Sequence, residues 1–237
     1  MTLIIDSGYT DATYTPGKLV LSRIQQYPAV IGEAFGGGYF AGYISHTQDG
    51  NPTHALIVAP RATGATGNFS GNAYPTASNL RYKTSDTDTP NANSSFDGVV
   101  NTAAMVTQDI NAHEAGKFCV DLRVGGFADW YLPSYYELDI AYFNLKPTTA
   151  NNNVTAGTNI YAVPRRSSNW SISSPSQTSL TAFNTSAEAF IADNHWASNQ
   201  SGGGTTGFFV SFSDGRPNNN SKRSQYFIRA FRRIALP

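Results

Sequence analysis

The chain has 237 residues, of which 40% are hydrophobic and 14% are charged, so it is long enough to bury a sizeable core. Its 16 basic residues balance its 16 acidic residues, and the lack of a basic excess argues against nucleic-acid binding. No stretch approaches the roughly 20 apolar residues of a membrane helix, so membrane insertion is not expected.

The cysteine content and the N-terminus bear on where the chain is made. Cys119 is the only cysteine, which excludes an intrachain disulfide and a cysteine-based zinc site, and we expect it to be buried. The chain opens Met-Thr-Leu-Ile-Ile-Asp, without the basic region and long apolar run of a signal peptide. We therefore expect synthesis in a cytoplasm, with any surface display reached through assembly rather than secretion.

The N-terminal part predicts an appendage followed by a hairpin. Residues 1–31 are too few for a domain, and they predict an arm or a pair of short strands that joins the main domain or a neighbouring subunit. Tyr39–Ile44 alternate large and small residues, and His54–Ala59 form an apolar run. The turn residues Asp49-Gly50-Asn51-Pro52 lie between these segments, so we predict a β-hairpin.

Capping residues and apolar periodicity predict helices in the middle of the chain. They are a helix that begins at Phe96 with Ser95 as its cap, a short helix over 113–119, and a helix to about Asn144 that Ser134 and Glu137 open as a capping box.

Turn-rich stretches and short apolar runs fill the rest. Residues 61–95 predict a long irregular loop, and 146–206 are again rich in turn residues. The C-terminal predictions are a strand at Phe208–Phe212, a turn at Ser213-Asp214-Gly215, a loop that contains Asn218–Asn220, and a closing strand over Tyr226–Ile234. Together these elements predict an α+β fold with few helices and many short strands.

Motifs for metal or cofactor chemistry are weak. Gly36-x-Gly38-x-x-Ala41 is followed by an aromatic strand instead of the helix that a dinucleotide-binding turn requires. The four histidines are scattered, and Arg216-Pro217-Asn218 places a cation where a calcium-dependent lectin has a carboxylate or amide. We expect neither a metal nor a cofactor. Carboxylates that could form an acid pair have equally good structural uses; they are Glu33, Asp97, Asp129 and Glu188.

A series of motifs nevertheless resembles a known domain family. Gly126-Phe127-Ala128-Asp129-Trp130-Tyr131-Leu132-Pro133-Ser134, followed by Glu137-Leu138, is similar to the signature shared by C-terminal domains of bacterial collagen-like adhesins and many phage virion proteins. Gly37–Ile44, Ala55–Pro60 and the ending Phe209–Ile234 are also similar, so the resemblance spans roughly 32–234. His195-Trp196-Ala197-Ser198 departs from the family's usual Tyr-Trp-Ser-Ser.

The resemblance implies a C-type-lectin-like domain over 32–237, with short strands, two or three helices and long irregular loops. It implies a bacteriophage virion surface or tail-fibre-tip protein that binds a host-surface glycan or protein without catalysis, with residues 1–31 as the virion attachment. In such folds the C-terminal strands and loops carry the variable surface. The ligand-binding candidates in that part of the chain are Trp196, Ser201, Asp214, Arg216, Asn218, Asn219, Asn220 and Lys222.

Other functions stay open on the sequence alone. A structural capsid or tail decoration protein would bury the same polar loops against neighbouring subunits. A polysaccharide depolymerase would need an acid pair that the sequence does not single out. The expected partners are other virion proteins and copies of the same chain, with a trimer favoured by analogy to fibres and adhesins.

Overall fold

The structure is a computed structural model that describes residues 9–15, 18–23, 27–61, 80–185 and 188–237, with the backbone alone for the first two ranges. The helices are α1 (Gly98–Asp109), α2 (Glu114–Asp121), α3 (Tyr135–Leu145) and α4 (Thr181–Asn184). The strands are β1 (Tyr9–Thr15), β2 (Lys18–Arg23), β3 (Ala34–Phe35), β4 (Gly38–Ile44), β5 (His54–Val58), β6 (Leu80–Arg81), β7 (Ala162–Val163), β8 (Asn194–Gln200), β9 (Thr206–Ser211), β10 (Pro217–Ser221), β11 (Gln225–Tyr226) and β12 (Phe231–Ala235). The chain is therefore a mixed α and β protein.

The central sheet has the order β12-β5-β4-β3, and β7 also pairs with β4. The predicted hairpin is confirmed as β4 and β5, which pair antiparallel. Leu56 and Val58 pack in one hydrophobic cluster with α3, whereas Ala55 and Ile57 pack in a second cluster with α2. Both faces of β5 are thus covered, which explains its continuous apolar sequence.

A second antiparallel sheet, β10-β9-β8, carries the C-terminal surface. The prediction of a loop at Asn218–Asn220 is wrong, because these residues form the middle of β10 and pair with Gly207–Phe209 of β9. Asparagine has a low strand propensity, but pairing with an aromatic neighbouring strand overrides it. The predicted strand over 208–212 is confirmed as β9, with bounds shifted by one or two residues.

The predicted closing strand over 226–234 is interrupted. Its first residues belong to β11, which pairs with β6, and its last ones belong to β12 in the central sheet. Between them Arg229 is fully buried and bonds to Glu188 at 3.0 Å. A chain that leaves one sheet for another cannot stay a single strand, and alternation alone does not reveal such a change.

Two predicted helix starts need correction. The first helix begins at Gly98, not Phe96, because the Asp97 carboxylate accepts the Val100 N–H at 3.0 Å and caps it. The carbonyl of Ser95, the expected cap, instead accepts the Tyr136 N–H of α3. The second helix begins at Glu114, and the capping box of the third is confirmed.

The N-terminal segment contains an antiparallel pair, β1 and β2, which agrees with one of the two forms expected for residues 1–31. Its last residues touch the domain: Tyr43 donates a hydrogen bond to the Pro28 carbonyl, and the Glu33 carboxylate accepts from the Val30 N–H. Residues 1–8 of this segment, and 62–79 of the predicted long loop, lie outside the described residues.

Glu137 joins three parts of the fold. Its carboxylate is fully buried and accepts hydrogen bonds from Ser134 N and Oγ at 2.7 and 2.9 Å, Gly98 N at 3.2 Å, and Tyr131 Oη at 2.7 Å. It therefore ties the start of α1 and the segment before α3 to α3 itself. Burial raises the pKa of Glu137 to about 7, against these hydrogen bonds, which favour the charged form.

Replacing this carboxylate should destabilise the whole domain. In Glu137→Gln an amide N–H₂ replaces one of the two acceptor oxygens and faces groups that themselves donate hydrogen bonds. We therefore expect a loss of about 1–3 kcal/mol in the free energy of unfolding. Urea unfolding measures this loss, with Glu114→Gln as control, because Glu114 bonds to Arg81 near the surface. Equal stability of the two variants would contradict the role given to Glu137.

Candidate functional site

The candidate surface is the outer edge of the second sheet. Asn218, Asn219 and Asn220 are all exposed on β10, which is the edge strand, and the side chain of Arg216 is exposed just before it. β10 pairs with β9 without interruption from Pro217 to Ser221. The sheet therefore presents a strip of amide and guanidinium groups on a backbone of fixed register, and we call Arg216 and Asn218–Asn220 the polar strip.

The asparagines are partly held by their neighbours. Asn219 Oδ1 accepts from Thr206 Oγ1 at 3.1 Å, and Asn220 Nδ2 donates to Tyr226 Oη at 2.7 Å. Asn218 Oδ1 accepts the N–H of Asn219 at 2.9 Å. The side-chain N–H₂ groups of Asn218 and Asn219 have no partner within the described residues and are free to bind an acceptor.

Ser201 and Asp214 shape the two ends of the strip. Asp214 Oδ1 accepts the Arg216 N–H at 3.1 Å and closes the turn between β9 and β10. Ser201 Oγ lies 2.5 Å from Thr206 Oγ1, which in turn bonds to Asn219. The structure thus brings both predicted residues next to the strip, where each is half-buried and engaged in local hydrogen bonds.

Two predicted ligand residues lie elsewhere. Trp196 and Lys222 are fully buried, so the expectation that they offer exposed groups to a ligand is wrong. Trp196 packs between Tyr82 and Tyr226, and its Nε1 donates to the Leu80 carbonyl at 2.8 Å. Trp196 on β8 and Lys222 after β10 thus belong to the interior of the fold and not to its exposed surface.

Lys222 sits in a cage of oxygen atoms. Its ammonium group donates to the Thr87 carbonyl at 2.9 Å, Thr89 Oγ1 at 3.1 Å and Gln200 Oε1 at 2.6 Å. The nearby Lys83 donates to the Asp88 carbonyl at 2.6 Å. Burial and the charge of Lys83 lower the pKa of Lys222 to about 8. The cage fastens residues 87–89 to the end of β8 and to the turn after β10.

A second concave region involves none of the predicted ligand residues. An open cleft of about 410 Å³ lies beside α3, and the segment 165–171 forms most of its wall. Phe143, Arg165, Asn169 and Trp170 line it, together with serines of the same segment. The sequence analysis missed this cleft. A pair of arginines inside a serine and asparagine run that ends in tryptophan was the available signal.

The carboxylates considered for catalysis are engaged in other contacts. Asp97 bonds to Arg233 at 2.8 Å, Asp129 pairs with Arg232, and Glu188 pairs with the buried Arg229. Within the described ranges, histidine, cysteine and carboxylate side chains form no group of three or more that could hold a metal ion. The polar strip supplies hydrogen-bond donors and acceptors, and the chemistry it can perform is non-covalent binding.

Removal of the Lys222 charge should loosen the support under the strip. In Lys222→Met the three oxygen atoms of the cage lose their donor while the stem remains, and we expect a loss of about 1–3 kcal/mol in the free energy of unfolding. Amide hydrogen exchange over 83–93 should become faster. The matched control is Lys117→Met, because Lys117 forms an exposed pair with Asp121. A loss no larger than that of the control would contradict the cage.

Acidification should destabilise the protein through its buried histidines. Burial lowers the pKa of His195 to about 3 and that of His54 to about 4, from 6.5 in both cases. At pH values between these folded-state pKa values and 6.5, the unfolded state binds more protons than the folded state. The free energy of unfolding therefore falls as the pH decreases from about 6.5.

His195→Phe retains a ring that packs against Phe190 and Phe212, and it removes one of these titrations. The slope of unfolding free energy against pH, measured between pH 4 and 6, should drop by up to about 1.4 kcal/mol per pH unit. Because Glu137 contributes with the opposite sign in both proteins, only the difference between the curves is informative. Parallel curves would refute the buried neutral state of His195.

Comparisons with known proteins add no relative. No protein-family model matches the chain, and no curated protein sequence matches it. In the part of the chain that the structure describes, no helix has the length and apolar character needed to cross a membrane.

Proposed function

We propose that this chain is a bacteriophage virion surface or tail-fibre-tip protein that binds a host-surface ligand without catalysis. The observation that carries the proposal is the polar strip: four consecutive or nearly consecutive donor side chains are exposed on an edge strand. The fully buried Trp196 contacts Phe209, which pairs with Asn218, and the fully buried Lys222 directly follows β10. Exposed polar groups on a rigid base are what a recognition surface requires.

The chemistry of the strip suits an uncharged polar ligand. Amide groups donate and accept in adjacent positions, which matches the hydroxyl groups of a glycan or the backbone of a protein epitope. Arg216 adds a guanidinium group with five N–H donors in a fixed plane. The unpaired amide N–H₂ groups of Asn218 and Asn219 are the contacts that we assign to the ligand.

The proposed fold is C-type-lectin-like, and the contacts of the signature residues support it. Asp129 pairs with Arg232 of β12, and Tyr131 exchanges backbone hydrogen bonds with Phe231 at 2.8 and 2.9 Å. The signature thus fastens the start of α3 to the last strand of the central sheet. In this proposal residues 1–31 attach the domain to the particle, and other virion proteins are its permanent partners.

One observation favours the alternative of a structural decoration protein. Val100 and Val106 of α1 are 49% and 48% exposed, and Val100 lines an apolar groove of about 380 Å³. Exposed valines next to a groove suit a contact between subunits. A homo-oligomer, with a trimer favoured, would bury this face.

The proposal is tested by cell binding. Fluorescently labelled full-length protein should bind saturably to intact cells of a susceptible bacterium. We expect Arg216→Ala/Asn218→Ala/Asn219→Ala to weaken binding at least about tenfold, since each lost hydrogen bond is worth about 0.5–1.5 kcal/mol. Unfolding free energy should stay the same, because the replaced side chains are exposed.

The control replaces exposed residues of similar kind on the α1–α2 side, as Asn111→Ala/Arg123→Ala. It should bind as the wild type does. Wild-type protein that binds no bacterium of a broad panel would favour the decoration role. Binding that survives the triple substitution would place recognition on another surface.

A further inference from the structure

We infer that the cleft beside α3 is a second binding site, for a saccharide that carries a carboxylate. It includes none of the residues of the polar strip and would take a ligand of different charge. The cleft holds about 410 Å³, within the range of roughly 300–1,000 Å³ that is usual for small-molecule sites. Its wall combines a cation, hydroxyl and amide groups, and an aromatic ring, and each of these constrains the ligand.

The charge of the cleft comes from two arginines in different situations. Arg166 is largely buried and pairs with the buried Asp139, so its charge is compensated from behind. Arg165 is exposed and forms neither an ion pair nor a hydrogen bond within the described residues. The residues that line the cleft include no acid. One guanidinium group is therefore left without an anion, which matches a carboxylate on the ligand.

The arginine pair also orders the aromatic part of the wall. Arg166 lies over the ring of Phe143, with 4.6 Å between its Cζ and the ring centroid, and its Nε donates to the Gly157 carbonyl at 3.0 Å. Phe143 is 36% exposed at the end of α3. A ring fixed on one face and open at its edge offers an apolar surface to the C–H groups of a sugar ring.

Polar groups of the wall have capacity left for a ligand. The hydroxyls of Ser167 and Ser168 are exposed, and Asn169 uses only its Oδ1, which accepts from Thr158 Oγ1 at 2.9 Å. The Asn169 N–H₂ group and the two serine hydroxyls are therefore the polar groups of the wall that a ligand can bind.

The test uses the full chain and defined oligosaccharides. Isothermal titration calorimetry with trigalacturonate should give saturable binding, and the methyl-esterified trisaccharide, which has the same rings without charge, should bind about tenfold more weakly or less. Arg165→Ala should lower the affinity for trigalacturonate about tenfold, to the level of the ester. Phe143→Ala should weaken both sugars, because it removes the apolar wall.

Two controls separate this site from the polar strip. Arg123→Ala removes an exposed arginine elsewhere and should leave the affinity unchanged. The triple variant Arg216→Ala/Asn218→Ala/Asn219→Ala should also bind trigalacturonate normally, even if it no longer binds cells. Equal affinity of wild type and Arg165→Ala, or equal affinity for the acid and its ester, would overturn the inference.

Discussion

The fold depends on one buried carboxylate. Glu137, in the first turn of α3, accepts four hydrogen bonds from groups that belong to α1 and to the segment before α3. Gly98 must be a glycine there, because an added Cβ would collide with the carboxylate and with the Leu132 carbonyl. A buried carboxylate is stable only with such a full set of donors. Tyr131 and Ser134 of the signature are therefore residues that this buried acid requires.

Local signals were enough for the elements that such short-range contacts define. The capping box at Ser134 and the apolar alternation of β5 act within a few residues, so the sequence predicted α3 and the hairpin. The predictions failed where a partner distant in the sequence determines the local structure. Asn218–Asn220 form a strand because β9 lies beside them, and Lys222 is buried because residues 87–89 supply its oxygen atoms. No local pattern encodes either partner.

The same reasoning explains which half of the candidate site was foreseen. Exposed residues such as Arg216 and Asn218 follow from composition, since polar runs near turns usually face water. Trp196 and Lys222 also carry hydrogen-bond donors. A tryptophan side chain, however, has a large apolar area, and the ammonium group of a lysine has three donors. Both side chains are therefore buried where the interior of the fold supplies hydrogen-bond acceptors. Sequence identifies the donors, and the fold decides whether a ligand or the protein itself receives them.

Ion pairing with acidic residues distinguishes the arginines that stabilise the fold from those that remain available to a ligand. Arg229 and Arg232 belong to the basic C-terminal segment, but Glu188 and Asp129 neutralise them within the fold. A chain with no net charge can still present a free cation where the acids are used up elsewhere. Arg165 and Arg216 form no ion pair within the described residues, and the two surfaces that carry them meet at Trp170, whose ring packs against Gly215 in the turn before the strip.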